Sequence, residues 1–139
     1  MKAQLNPYLS FKDNTREVME YYKSVFGGEL VLRTFKDFKA SKDPSEDDLI
    51  MHSVLEVSSD LMFMASDTPV RLEYKPGNNF SMSLTGDDEA KLSDYFEKLS
   101  QGGNITMPLE KSMWGDKFGM VIDKYGIQWL VNISQNKED

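Results

Sequence analysis

Residues 113–132 read MWGDKFGMVIDKYGIQWLVN. Two short runs rich in β-branched and aromatic residues, 117–122 and 127–133, meet at Asp123-Lys124-Tyr125-Gly126. Asp and Gly around so short a connection predict a β-hairpin. The same design occurs earlier, over 51–66, turning at Ser58-Ser59-Asp60. The chain therefore reads as one unit written twice.

Working outward, each hairpin has a strand, a helix and another strand before it. In the first half a short strand is expected over 4–11, at an edge because of Pro7. Asp13, Asn14 and Thr15 are N-cap residue types, and Val18, Met19, Tyr22, Val25 and Phe26 repeat at helical spacing over 16–26. Gly27-Gly28 closes that helix. A strand over 29–38 follows, then a charged stretch over 39–48 read as an exposed loop, or alternatively a lid. The hairpin strands fall at 49–57 and 61–66, and 67–77 reads as a linker. The second half predicts a strand over 80–85, a cap at 86–89, a helix over 90–101 and closure at Gly102-Gly103. A strand from 104, interrupted by Pro108, and the final hairpin complete it. The order of elements matches in the two halves, and so do details: Tyr21-Tyr22 with Tyr95-Phe96, Gly27-Gly28 with Gly102-Gly103, Glu56 with Asp123. A single β-α-β-β-β module cannot cover its own sheet, so duplication is expected to pair two of them.

The 139 residues suit one domain, with module one at about 1–68 and module two at about 77–139. Hydrophobic residues make up 40% and charged residues 28%, usual for a globular protein. A net charge of −7, from 23 acidic and 16 basic residues, opposes nucleic acid and anionic membranes as partners. No cysteine is present, which removes thiolate chemistry and disulfides and points to a cytoplasmic protein. No stretch has the length of a membrane span. No Gly-rich phosphate loop or nucleophile elbow occurs.

His52 is the one histidine. It and Glu56 share a strand face about 13 Å apart by the strand rise, too far for a hydrogen bond. The pair suits proton relay or polar ligand binding, or else an ordinary sheet histidine and a turn glutamate. Trp114 and Asp116 precede the last hairpin. They suit stacking and hydrogen bonding to a flat ligand, or a core tryptophan followed by a turn aspartate. Alternation places Gln128, Leu130 and Asn132 on one strand face and Trp129 and Val131 on the other.

The segments YLSFKDNTREVMEYYKSVFGGEL (8–30), MHSVLEVSSDLMFMASD (51–67) and WGDKFGMVIDKYGIQWLVNI (114–133) resemble the vicinal oxygen chelate superfamily of glyoxalases, bleomycin-resistance proteins and dioxygenases. Within it the chain resembles the PhnB-like branch. The resemblance implies an α+β fold of two tandem β-α-β-β-β modules, forming a curled mixed sheet around a cavity, and a homodimer. It turns Gln128, Leu130 and Asn132, with Met62, Met64 and Ser66, toward the cup. That lining of methionine, leucine, amides and a hydroxyl suits an uncharged, partly apolar small molecule. Catalytic members hold a divalent metal through a first-strand histidine and a last-strand glutamate. By position these fall near Pro7 and Ser81, and at about Met64 and Leu130, none of which is a good cation ligand. The expectation is a metal-independent small-molecule binder, with no cofactor, no metal and no catalytic residue. Its ligand would meet His52, Met64, Trp114, Gln128, Leu130 and Asn132. One alternative is a metal-dependent lyase or dioxygenase-like enzyme with non-standard ligands. Another is an interaction protein whose cup is filled.

Overall fold

The computed structural model describes residues 3–135. Two compact units divide at Pro76/Gly77. The first carries β1 (Tyr8–Phe11), α1 (Thr15–Phe26), β2 (Glu29–Thr34), the four-residue turn α2 (Phe35–Phe38), β3 (Ile50–Ser58) and β4 (Leu61–Asp67). The second carries β5 (Met82–Gly86), α3 (Glu89–Ser100), β6 (Asn104–Lys111), β7 (Lys117–Ile122) and β8 (Gln128–Ile133). The architecture is α+β, with two four-stranded mixed sheets ordered β1-β4-β3-β2 and β5-β8-β7-β6. In both, the first strand pairs parallel to the last and the other pairings are antiparallel. Both units thus repeat one topology.

Each sheet buries one face under its helix. Val18, Met19, Tyr22 and Phe26 of α1 are buried with Leu9, Phe11, Leu55, Phe63 and Ala65 of the first sheet. Phe63 meets Tyr22 edge-on at 5.4 Å and Phe26 at 6.0 Å between ring centroids, an arrangement aromatic pairs favour. In the second unit Leu92, Tyr95, Phe96 and Leu99 of α3 are buried, as are Val121, Trp129, Val131 and Ile133 of its sheet.

The repeated Gly-Gly has a steric cause. Gly28 has φ +90°, and a Cβ there would lie 2.5 Å from the Glu56 carbonyl oxygen. At Gly103 a Cβ would lie 2.3 Å from the Ile122 carbonyl oxygen. In each unit the second glycine lets the chain leaving the helix run against the hairpin backbone.

Five local expectations need correction. The strand expected over 29–38 ends at Thr34. There the Thr34 hydroxyl accepts from Asp37 N at 3.1 Å and Asp37 Oδ2 accepts from Thr34 N at 2.9 Å, a capping box that starts α2. The stretch 39–48 is not a plain solvated loop. It holds a 3-10 turn at Pro44–Glu46, and Glu46 is buried, accepting from Ser41 Oγ at 2.5 Å and from Val70 N at 2.6 Å. Asp67 begins no simple linker. It is the buried end of β4, and its oxygens accept from Thr15 N at 3.0 Å and Ile50 N at 2.8 Å. Asn14 holds the N-cap position of α1 without a side-chain bond, so Asp67 supplies that acceptor from 52 residues away. The strand expected from Phe80 starts at Met82, leaving Phe80 exposed. Pro108 does not interrupt β6, because β6 is an edge strand and the missing N–H costs no ladder bond; the register slips around it instead.

Candidate functional site

Register and burial fix which side chains face away from each helix. In the first sheet one transverse row is Tyr8, Met64, Val54 and Val31, joined by the pairings Tyr8↔Met64, Val54↔Met64 and Val31↔Val54. The neighbouring row carries Ser10 paired with Ser66, and His52 paired with Arg33. Toward the hairpin end Glu56 pairs with Met62 and Glu29. The face therefore has an apolar band, a row of hydroxyls, imidazole and guanidinium on one side, and carboxylates on the other.

The second sheet is banded in the same way. Ser83↔Leu130, Met120↔Leu130 and Met107↔Met120 form its central row. Thr85↔Asn132↔Phe118 flanks it on one side, and Gln128↔Ile122↔Asn104 on the other. Gln128 Nε2 donates to the Asn78 carbonyl at 2.9 Å.

Of the residues expected to meet a ligand, His52 and Met64 lie on the helix-distal face of the first sheet. Gln128, Leu130 and Asn132 lie on that of the second. His52 is held by a residue the sequence reading did not single out. The Tyr8 hydroxyl and His52 Nδ1 are 3.0 Å apart, and the rings stack at 5.7 Å between centroids with an interplanar angle of 30°. Glu56 is exposed and makes no contact with His52, as the strand spacing requires. Arg33 was also missed. Its alternation with Leu30 and Leu32 was visible, but which face that alternation served was not. It places a cation on a face expected to meet an uncharged, partly apolar ligand.

Trp114 is 61% exposed, so it is not a core tryptophan; Trp129 fills that role at 1%. The Trp114 indole N–H donates to Asn132 Oδ1 at 3.3 Å, and its ring meets Phe118 edge-on at 5.3 Å. Asn132 Nδ2 donates to Asp116 Oδ2 at 3.0 Å, and Gln135 N donates to Asp116 Oδ1 at 3.2 Å. Hydrogen bonds from the Asn132 amide first, then the Gln135 N–H, hold the Asp116 carboxyl below its ordinary value against a smaller desolvation effect. The chain Asp116–Asn132–Trp114 thus fixes an exposed aromatic plane beside the polar rim of the second sheet. The sequence matches of Glu56 with Asp123 do not extend to role. Asp123 is buried and accepts from Tyr125 N, Ile127 N and Trp129 Nε1 at 2.9, 3.1 and 2.8 Å.

The metal implied by the fold fails a test of donors. Opposite Met64 stands Tyr8, and opposite Leu130 stands Ser83. A thioether, a phenol, an alkyl chain and a hydroxyl do not make a site for a hard divalent cation. Among the described residues no three His, Cys, Asp or Glu side chains gather to hold one. Also among them, no helix is long and apolar enough to cross a membrane.

Known proteins share this fold. Protein PA1353 from Pseudomonas aeruginosa is 36% identical, covers 97% of this chain and all of its own, and superposes with a TM-score of 0.81. The PhnB protein from Bacillus cereus is 26% identical over 95% of this chain and 100% of its own, with a TM-score of 0.76. A glyoxalase/bleomycin resistance protein/dioxygenase superfamily member from Sphaerobacter thermophilus is 18% identical, covers 95% of this chain and 98% of its own, and has a TM-score of 0.59. That last likeness is one of fold alone. The family model described as 3-demethylubiquinone-9 3-methyltransferase matches residues 3–132. The chain belongs to that PhnB-like family, and its fold is the one seen in glyoxalase/bleomycin resistance/dioxygenase superfamily structures.

Proposed function

We propose that this chain is a metal-independent small-molecule binding protein, cytoplasmic and homodimeric, that takes its ligand on a helix-distal sheet face. The observation that carries the reading is the banding of those faces. A largely apolar central row, with polar side chains among the residues of the rows on both sides, matches the usual make-up of a small-molecule site: apolar contact for affinity, a few polar groups for orientation. Trp114, pinned by Asn132, offers a rigid plane for stacking at low entropic cost. The donor chemistry around Met64 and Leu130 supports binding without a metal. The family description names a methyl transfer; no observation on either sheet favours a site for a methyl donor, so that activity is not carried over.

The test is a thermal-shift screen of flat, partly apolar molecules in the presence of EDTA. A ligand at about 100 times its Kd adds about 2.7 kcal/mol to stability. The reading expects saturable stabilisation that Met64→Arg or Leu130→Arg removes, each charge falling in an apolar row. Binding that survives both substitutions, or that needs added metal, overturns it.

A further inference from the structure

We propose that the helix-distal face of the first sheet recognises the carboxylate of an acid with an apolar body, through Arg33, His52 and Tyr8. The inference rests on the binding reading above and names the ligand class for one face.

Three observations support it. First, Arg33 and His52 are direct cross-strand partners, so their side chains leave the sheet side by side, about 4.5–5.5 Å apart at Cβ. Second, Arg33 is exposed and makes no ion pair among the described residues. Its Nη1 has one long contact, 3.4 Å to the Leu32 carbonyl. The nearby carboxylate, Asp37, is committed elsewhere. The Thr34 backbone N–H is the main group lowering its pKa, opposed by desolvation; the Thr34 side chain, Arg33 and Arg16 add to the lowering. Third, the Tyr8–His52 hydrogen bond and ring stacking join the two side chains into one fixed polar unit. If Nδ1 accepts from the Tyr8 hydroxyl, Nε2 carries the ring proton and donates. If Nδ1–H donates, the Tyr8 hydroxyl keeps its own proton to give. Either arrangement leaves one donor for a ligand oxygen.

Beside these groups lies the apolar row of Met64, Val54 and Val31, which suits the body of the ligand. Arg supplies a planar fork matched to a carboxylate. The net charge of −7 opposes an anion only at long range. At physiological salt that field decays within about 8 Å, whereas a contact at Arg33 is not screened away.

The experiment uses the full chain and two probe pairs, 2-naphthoate with 2-naphthamide and 4-phenylbutyrate with 4-phenylbutyramide, measured by calorimetry. Each carboxylate should bind about tenfold or more tightly than its amide, the size of one charge-assisted contact. Arg33→Gln should erase that ratio, Arg33→Lys should restore part of it, and Tyr8→Phe should weaken the carboxylate alone. Arg33 is exposed, so unchanged circular dichroism is expected for its variants. Shifts of the Arg33 Nε–H and His52 ring signals on adding naphthoate supply a readout independent of affinity. A carboxylate preference that survives Arg33→Gln overturns the inference. So does equal binding of acid and amide, although the binding reading then stands. Binding of neither member of a pair also overturns it, and the wider screen above decides the binding reading separately.

Discussion

Replacing Asp67 by Ala tests the tertiary cap that joins α1 to β3. The carboxylate is 3% exposed and accepts two backbone N–H groups, from Thr15 at 3.0 Å and Ile50 at 2.8 Å. Alanine leaves both donors buried without partners. Each such orphan costs about 1–3 kcal/mol, so the expected loss is about 3 kcal/mol or more. Domains have about 5–15 kcal/mol in total. Asp67→Asn keeps one acceptor oxygen but turns an amide NH2 toward the other N–H, and about half the loss is expected. Urea unfolding by far-UV circular dichroism measures both, with the slope unchanged. Trp114 and Trp129 both lie in the second unit. Fluorescence therefore reports whether that unit follows: coincident transitions mean the two unfold together. A loss below about 1 kcal/mol for Asp67→Ala would refute the claim that this carboxylate caps the helix and the strand.

Three further outcomes are expected. Gly28→Ala and Gly103→Ala, whose Cβ atoms would overlap hairpin backbone, should each cost more than about 2 kcal/mol in urea unfolding. Gly27→Ala, with φ +78° and open space around it, should cost only about 1 kcal/mol. Thr15 is fully buried and its Oγ1 has no partner among the described residues, so Thr15→Val should raise stability by up to about 1 kcal/mol. The Asp116 carboxyl titrates below the ordinary aspartate range, so its contribution is present above that range and is lost as pH falls through the lowered value. The Asn132 side-chain amide signals should therefore shift with a midpoint below the usual aspartate value, and Asp116→Ala should flatten the titration.

The parts of the fold legible in the sequence are those set by local pattern. The apolar spacing of Val18, Tyr22 and Phe26, the Gly-Gly pairs, and the alternation either side of Asp123–Gly126 each specify an element without reference to the rest of the chain. The misses share a cause. Thr34-Phe35-Lys36-Asp37 carries a capping box, but the aromatic residues at 35 and 38 read equally as strand. Asp67 and Glu46 act on residues 52 and 24 positions away, and nothing local marks a carboxylate as a distant cap. Pro108 breaks a central strand but not an edge strand, and edge position is a property of the sheet. For the site, the in-strand alternation of Gln128, Leu130 and Asn132 was visible. The Tyr8–His52 bond spans 44 residues, and the Arg33–His52 pairing depends on register. A one-residue slip would send each side chain to the other face.

The nine methionines offer a direct test of where a ligand binds. Met62, Met64, Met107 and Met120 lie on the helix-distal faces, whereas Met19 belongs to α1 and is fully buried. The decisive measurement is a titration of 13C-methyl-methionine protein with a confirmed ligand in EDTA, followed by NMR. The account predicts saturable shifts at methionines of the helix-distal faces, with Met19 unmoved. Shifts at Met19 without those, or no shifts until a metal is added, would contradict it.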